Sequence, residues 1–141
     1  MTRKICVVTG SRADYGLLHP VILGISLDLE LELQLVVTGM HLSEEFGSTV
    51  AEIEADGFEI NYKVRTIAKS DSPEGIAKSI ANGIEGCASA FAKLNPDLVV
   101  VLGDRFEIFA AASAALVSRL PIAYLHGGEV TTGAFDEAFR H

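Results

Sequence analysis

"DLVVVLGDRFEIFAAASAALVSRLPIAYLHGG", residues 97–128, carries one complete strand–helix–strand unit. Its two outer limbs, "DLVVVLGD" (97–104) and "PIAYLHGG" (121–128), are apolar at consecutive positions. Such runs suit parallel strands covered on both faces, whereas a half-solvated strand would alternate. The segment between them, 105–119, is Ala-rich and apolar nearly all round, which predicts a buried helix. Two parallel strands joined through a helix form the repeating unit of an α/β sheet.

The same alternation extends towards the N-terminus. "KICVVTG" (4–10) and "LELQLVVTG" (31–39) read as further strands, and the more alternating "FEINYKV" (58–64) as a weaker one at a sheet edge. Leu17, Leu18, Val21, Ile22 and Ile25 share one helical face, with Pro20 expected to kink or delay that helix. Ser43, ahead of Glu44 and Glu45, is a suitable N-cap for a helix running towards Gly57. Ser72-Pro73 starts a third helix, on which Ile76, Ile80, Ile84, Cys87, Phe91 and Leu94 keep helical spacing. The expected fold is therefore α/β, a doubly wound parallel sheet, with residues 1–141 as one domain. "FDEAFRH" (135–141) reads as the opening turns of one more helix, so a longer parent protein is expected.

Composition narrows the function. The chain has 141 residues, 49% of them hydrophobic, and a net charge of −8. That balance excludes a broad nucleic-acid or anionic-membrane surface while leaving room for a local basic pocket. No apolar run reaches the roughly 18 residues of a membrane span, and "MTRKICVV" passes directly into a strand without a signal-peptide pattern. A cytoplasmic protein is expected. Cys6 and Cys87 lie inside regular elements without metal-like spacing and read as reduced core thiols.

Polar residues gather where the strands end. In an open α/β sheet, ligands bind beyond the carboxyl ends of the strands, where strand order reverses. "GSRADYG" (10–16), "TGMHLS" (38–43), "GDRFE" (103–107) and "HGGEVTTG" (126–133) all fall there. Arg12 can pair with a phosphate, helped by free N–H groups at the following helix start. Alternatively it is a surface arginine beside Asp14 acting as N-cap. The loop matches neither G-x-G-x-x-G nor the Walker lysine pattern. Asp104 and Arg105 pair a proton-transfer carboxylate with a phosphate-binding guanidinium, or else form a structural ion pair or cap. Glu107 is expected on the solvated side of its helix. His126 and Glu129 flank two glycines that let backbone approach a ligand closely. Asp136 and Glu137, with Arg140 and His141 four positions on, are either site carboxylates or helix-surface ion pairs. His19 and His41 form no metal-ligand spacing, and no metal is expected. Carboxylates beside phosphate-binding arginines suit an enzyme that moves protons on the non-phosphate part of a nucleotide ligand.

"GSRADYG", "TGMHLSEEFG", "GDRFE" and "HGGEVTTGAFDEAFRH" together, in order and at matching intervals, closely resemble the hydrolysing UDP-N-acetylglucosamine 2-epimerases of bacterial sialic acid synthesis. The resemblance implies a glycosyltransferase-B-like pair of Rossmann-like domains, of which this chain is most of the N-terminal one and inactive by itself. It implies conversion of UDP-N-acetylglucosamine and water to N-acetylmannosamine and UDP through a 2-acetamidoglucal, with no nicotinamide or other cofactor. Arg12 and Arg105 then look like diphosphate ligands. Asp104, Glu129 and one of Asp136 and Glu137 look like the proton-transfer groups, and His126 and His41 would line the sugar pocket. Non-hydrolysing relatives carry a carboxylate where His126 aligns, whereas here the acid follows three residues later as Glu129. The resemblance also implies a homo-oligomer whose partner is a UDP-sugar. The alternatives are a non-hydrolysing epimerase, a hydrolysing epimerase of a UDP-diacetamido-trideoxyhexose, and a non-catalytic nucleotide-sugar binding module or glycosyltransferase donor domain.

Overall fold

The structure is a computed structural model and describes residues 2–39, 49–65, 72–103 and 105–125. Strands and helices alternate through the described residues. β1 (Arg3–Thr9) leads to α1 (Arg12–Leu27), β2 (Leu31–Thr38), α2 (Thr49–Ala55) and β3 (Tyr62–Val64). α3 (Pro73–Leu94), β4 (Leu98–Leu102), α4 (Phe106–Val117) and β5 (Ile122–Leu125) follow. The five strands form one parallel sheet in the order β3-β2-β1-β4-β5, with Val7 of β1 opposite Leu35 of β2 and Val100 of β4. The winding reverses between β1 and β4, as the doubly wound reading requires.

Alternate side chains of each strand feed two cores. Ile5 and Val7 join Leu18, Ile22, Leu35, Val37 and Ile53 on one face of the sheet. Cys6 and Val8 join Val36, Phe91, Val99, Val101 and Ile108 on the other. Both thiols are free and buried, which raises each pKa from 9.0 to about 12. They behave as the core residues their positions suggested.

β3 lies at one end of the strand order, the edge position its alternating sequence suggested, but spans only three residues. Asn61 lengthens the pairing: its amide donates to the Leu35 carbonyl at 2.8 Å, and its side-chain oxygen accepts from the Leu35 amide at 2.7 Å. α1 is not delayed by Pro20, which lies inside it. Pro20 and Gly16, four residues earlier, are both exposed, so the carbonyl that loses its amide partner meets water.

Ser72 caps α3 by accepting from the Gly75 amide at 3.1 Å, with Pro73 in the first turn. The buried face of α3 is Gly75, Ser79, Gly83, Cys87, Ala90 and Phe91, while Ile76, Ile80 and Ile84 are half-buried. Small residues win the centre because neighbouring elements press against it. A Cβ on Gly83 would stand 2.9 Å from that of Ala110, and one on Gly86 only 2.5 Å from Val64 Cγ1. α4 is buried on one side rather than all round, since Leu116 and Val117 are 73% and 76% exposed. Ser43, the expected cap ahead of α2, lies outside the described residues.

Candidate active site

The carboxyl ends of β1, β2, β4 and β5 share one edge of the sheet, because all the strands run parallel. At the end of β1, Ser11 is the N-cap of α1 and Asp14 completes a reciprocal capping box. The Asp14 carboxylate accepts from the Gly10 and Ser11 amides, each at 3.0 Å, and from the hydroxyls of Ser11 at 3.1 Å and Thr9. Burial raises its pKa above the ordinary value, against the opposing pull of these hydrogen bonds. Asp14 therefore organises the turn, although Ser11, not Asp14, is the cap. Of the amides around Arg12, those of Gly10 and Ser11 are engaged by Asp14 and that of Asp14 by Ser11.

Arg12 opens α1 directly after this turn. Its side chain is 73% exposed and pairs with Glu52 of α2 at 3.2 Å. An exposed pair of this kind contributes at most about 1 kcal/mol, so a ligand phosphate can take the guanidinium over.

Arg105 occupies the N-cap position of α4, one strand away across the reversal point. Its Nε lies 3.1 Å from Glu107 Oε2 and its Nη2 3.4 Å from Oε1, a two-point pair. Glu107 does not face solvent as expected. Its side chain is 2% exposed against 41% for Arg105. The reason is its place on the helical face of Ala110, Ala111 and Ala114, all buried. That spacing is the sequence signal that would have found it. Glycines make room for it: a Cβ on Gly10 would lie 3.2 Å from Glu107 Cβ, and one on Gly39 2.8 Å from its Cγ. Gly39 also has φ +64°, a conformation that side-chain-bearing residues rarely take.

A second polar cluster lies between α1 and the end of α2. Tyr15 donates to Asp56 at 2.5 Å, and His19 Nε2 stands 3.8 Å from the same carboxylate oxygen. The His19 ring meets those of Tyr15 and Phe58 edge-on. It is a partly exposed histidine packed against two rings.

The other expected site residues, His41, Asp104, His126, Glu129, Asp136 and Glu137, lie outside the described residues. Among the described residues there is no group of three or more metal-ligating side chains, and no helix is long and apolar enough to cross a membrane.

Known proteins resemble this chain closely. Residues 25–141 match the sequence profile described as UDP-N-acetylglucosamine 2-epimerase. A GDP/UDP-N,N'-diacetylbacillosamine 2-epimerase (hydrolyzing) of Campylobacter jejuni is 42% identical over 139 residues, covering 99% of this chain and 36% of that protein. A UDP-N,N'-diacetylbacillosamine 2-epimerase (hydrolyzing) of Legionella pneumophila is 42% identical over 141 residues, covering 100% and 37%. The polysialic acid biosynthesis protein P7 of Escherichia coli is 38% identical over 139 residues, covering 99% and 36%. The chain thus spans little more than a third of the length of these relatives. Among solved structures, a UDP-GlcNAc 2-epimerase from Neisseria meningitidis bound to UDP-GlcNAc superposes with a TM-score of 0.82 at 23% identity, covering 97% of this chain and 37% of that one. At that identity it bears on the fold alone.

Proposed function

The chain belongs to the UDP-N-acetylglucosamine 2-epimerase family, and from that premise we propose that it is the N-terminal domain of a two-domain hydrolysing epimerase of UDP-2-acetamido sugars. The observation that carries this reading is the placement of Arg12 and Arg105 at the ends of adjacent strands, on either side of the reversal point. Two guanidinium groups across one crevice fit a diphosphate. The Gly10 and Ser11 amides are engaged by Asp14, so these side chains carry the recognition that those two amides do not.

In the reaction, a base removes the proton on sugar carbon 2 while the bond from carbon 1 to the diphosphate oxygen breaks. UDP leaves with the electron pair and a 2-acetamidoglucal remains. Water then adds its hydroxyl to carbon 1, and a proton reaches carbon 2 from the opposite face, releasing the free epimer. Arg12 and Arg105 stabilise charge growing on the departing oxygen, where a preorganised cation contributes most. Asp104, Glu129 and one of Asp136 and Glu137 carry the protons, and His126 and His41 line the sugar pocket. These roles rest on the resemblance of the motifs, as does a homo-oligomeric assembly.

The substrate is a UDP-diacetamido-trideoxyhexose. The two diacetylbacillosamine epimerases at 42% identity favour it over the sialic acid assignment made from the motifs. UDP-N-acetylglucosamine is the second reading, supported by the 38% identity to the polysialic acid protein. Incubating the intact protein with each sugar nucleotide in heavy water, followed by NMR, tests the proposal. UDP and a free sugar deuterated at carbon 2 are expected. A UDP-linked epimer would establish the non-hydrolysing reaction, and binding without turnover a binding module.

A further inference from the structure

Glu107 is a buried carboxylate that the proposed reaction leaves unused. Its Cβ and Cγ stand against Gly10, after β1, and Gly39, after β2. Its two oxygens meet Nε and Nη2 of Arg105, which follows β4. One side chain thus spans the ends of three adjacent strands and draws the guanidinium from β4 towards β1, where Arg12 stands. An arginine left to itself samples many rotamers, and a ligand must immobilise it on binding. A carboxylate so enclosed needs a counter-charge, so the pair holds from both sides.

We propose that Glu107 is a positioning residue: its carboxylate grips the Nε–Nη2 edge of Arg105 and fixes the guanidinium over the crevice between β1 and β4 for the diphosphate. This deepens the reading of Arg105 as a diphosphate ligand and rests on it. Glu107 touches neither sugar nor phosphate. Its effect passes through the orientation of Arg105. The two glycines are part of the same device, since a side chain at either position would press on Glu107.

The test compares UDP with uridine, which lacks phosphate, as ligands of the intact protein by titration calorimetry. Glu107→Gln keeps the volume but loses the charge. It should weaken UDP binding about tenfold, on the order of the cost of immobilising one rotamer-rich side chain, and leave uridine binding unchanged. The kcat of the intact enzyme should fall on the order of a hundredfold, the usual cost of a displaced charge-stabilising group. In an Arg105→Ala background the same substitution should change UDP affinity no further, because its effect is transmitted through that residue. Glu107→Asp, which retracts the carboxylate by one methylene, serves if the glutamine variant does not fold and should shift UDP affinity in the same direction. Unchanged or tighter UDP binding would overturn the proposal, since Glu107 would then be idle or competing with the phosphate. Equal losses for UDP and uridine would overturn it too, marking a general structural role. A wild-type protein that binds uridine and UDP equally would overturn the reading of Arg105 itself, and this inference with it.

Discussion

Replacing Gly39 with alanine is expected to do more damage than the same change at Gly57, and the structure says by how much. Both glycines have positive φ, +64° and +92°. Alanine at either site therefore carries backbone strain of about 1 kcal/mol. At Gly57 nothing stands within 4 Å of the added Cβ, so strain is the whole cost. At Gly39 the Cβ would lie 2.8 Å from Glu107 Cγ and 2.9 Å from the Gly10 carbonyl oxygen. The carbonyl belongs to the loop stapled by Asp14, and Glu107 is enclosed and paired with Arg105. Neither neighbour can yield freely, and overpacking of this kind adds roughly 1–3 kcal/mol. The expected losses are about 1 kcal/mol for Gly57→Ala and about 2–4 kcal/mol for Gly39→Ala. Thermal melts of the two variants in the same background, followed by circular dichroism, give the comparison. A Gly39→Ala protein that melts with Gly57→Ala would refute the packing of Glu107 between the strand ends.

Helix glycines give a second contrast: Gly86→Ala should destabilise by about 1–2 kcal/mol despite better helix propensity, because its Cβ would meet Val64 Cγ1 at 2.5 Å. Gly16→Ala, exposed and with nothing within 4 Å, should stabilise by up to about 1 kcal/mol, and the two changes should move urea midpoints in opposite directions. Asp14→Ala should cost about 1–3 kcal/mol by the same measurement, since it leaves the buried Gly10 and Ser11 amides without their acceptor. The thiols of Cys6 and Cys87 titrate near 12 in the fold against 9.0 when free, so above pH 9 the unfolded chain holds fewer protons than the folded one. Their contribution is intact below pH 9 and is lost as pH rises towards 12, by at most about 1.4 kcal/mol per unit for each thiol. Unfolding titrations from pH 8 to 11 should show the decline, and the Cys6→Ala and Cys87→Ala double variant should flatten it.

The strands were legible because each announces itself locally. Val99 to Leu102, or Cys6 to Val8, can be buried on consecutive positions only when both faces of the strand are covered. The start of α3 was equally plain in Ser72-Pro73, whose capping chemistry involves no residue beyond the first turn. The buried face of α3 was legible only in part, for the complementary reason: Cys87 and Phe91 lie on it as their spacing indicated, but its centre does not follow that spacing. Hydrophobic spacing pointed to Ile76, Ile80 and Ile84, but the face is set by how closely α4 and β3 approach, and close approach selects Gly83 and Gly86.

The candidate site divides in the same way. Sequence by itself determined the α/β winding, the strand ends where polar residues gather and the arginines that stand there. Those follow from residue type and short-range period, which a chain carries wherever it folds. Only the tertiary structure decided what surrounds them. It paired Arg12 with Glu52 and sent Glu107 inward to hold Arg105. A charged side chain ordinarily faces water, and nothing local in "GDRFE" says otherwise. Its burial became favourable only when Gly10 and Gly39, 97 and 68 residues earlier, were brought against it by the pairing of β1 with β2 and β4.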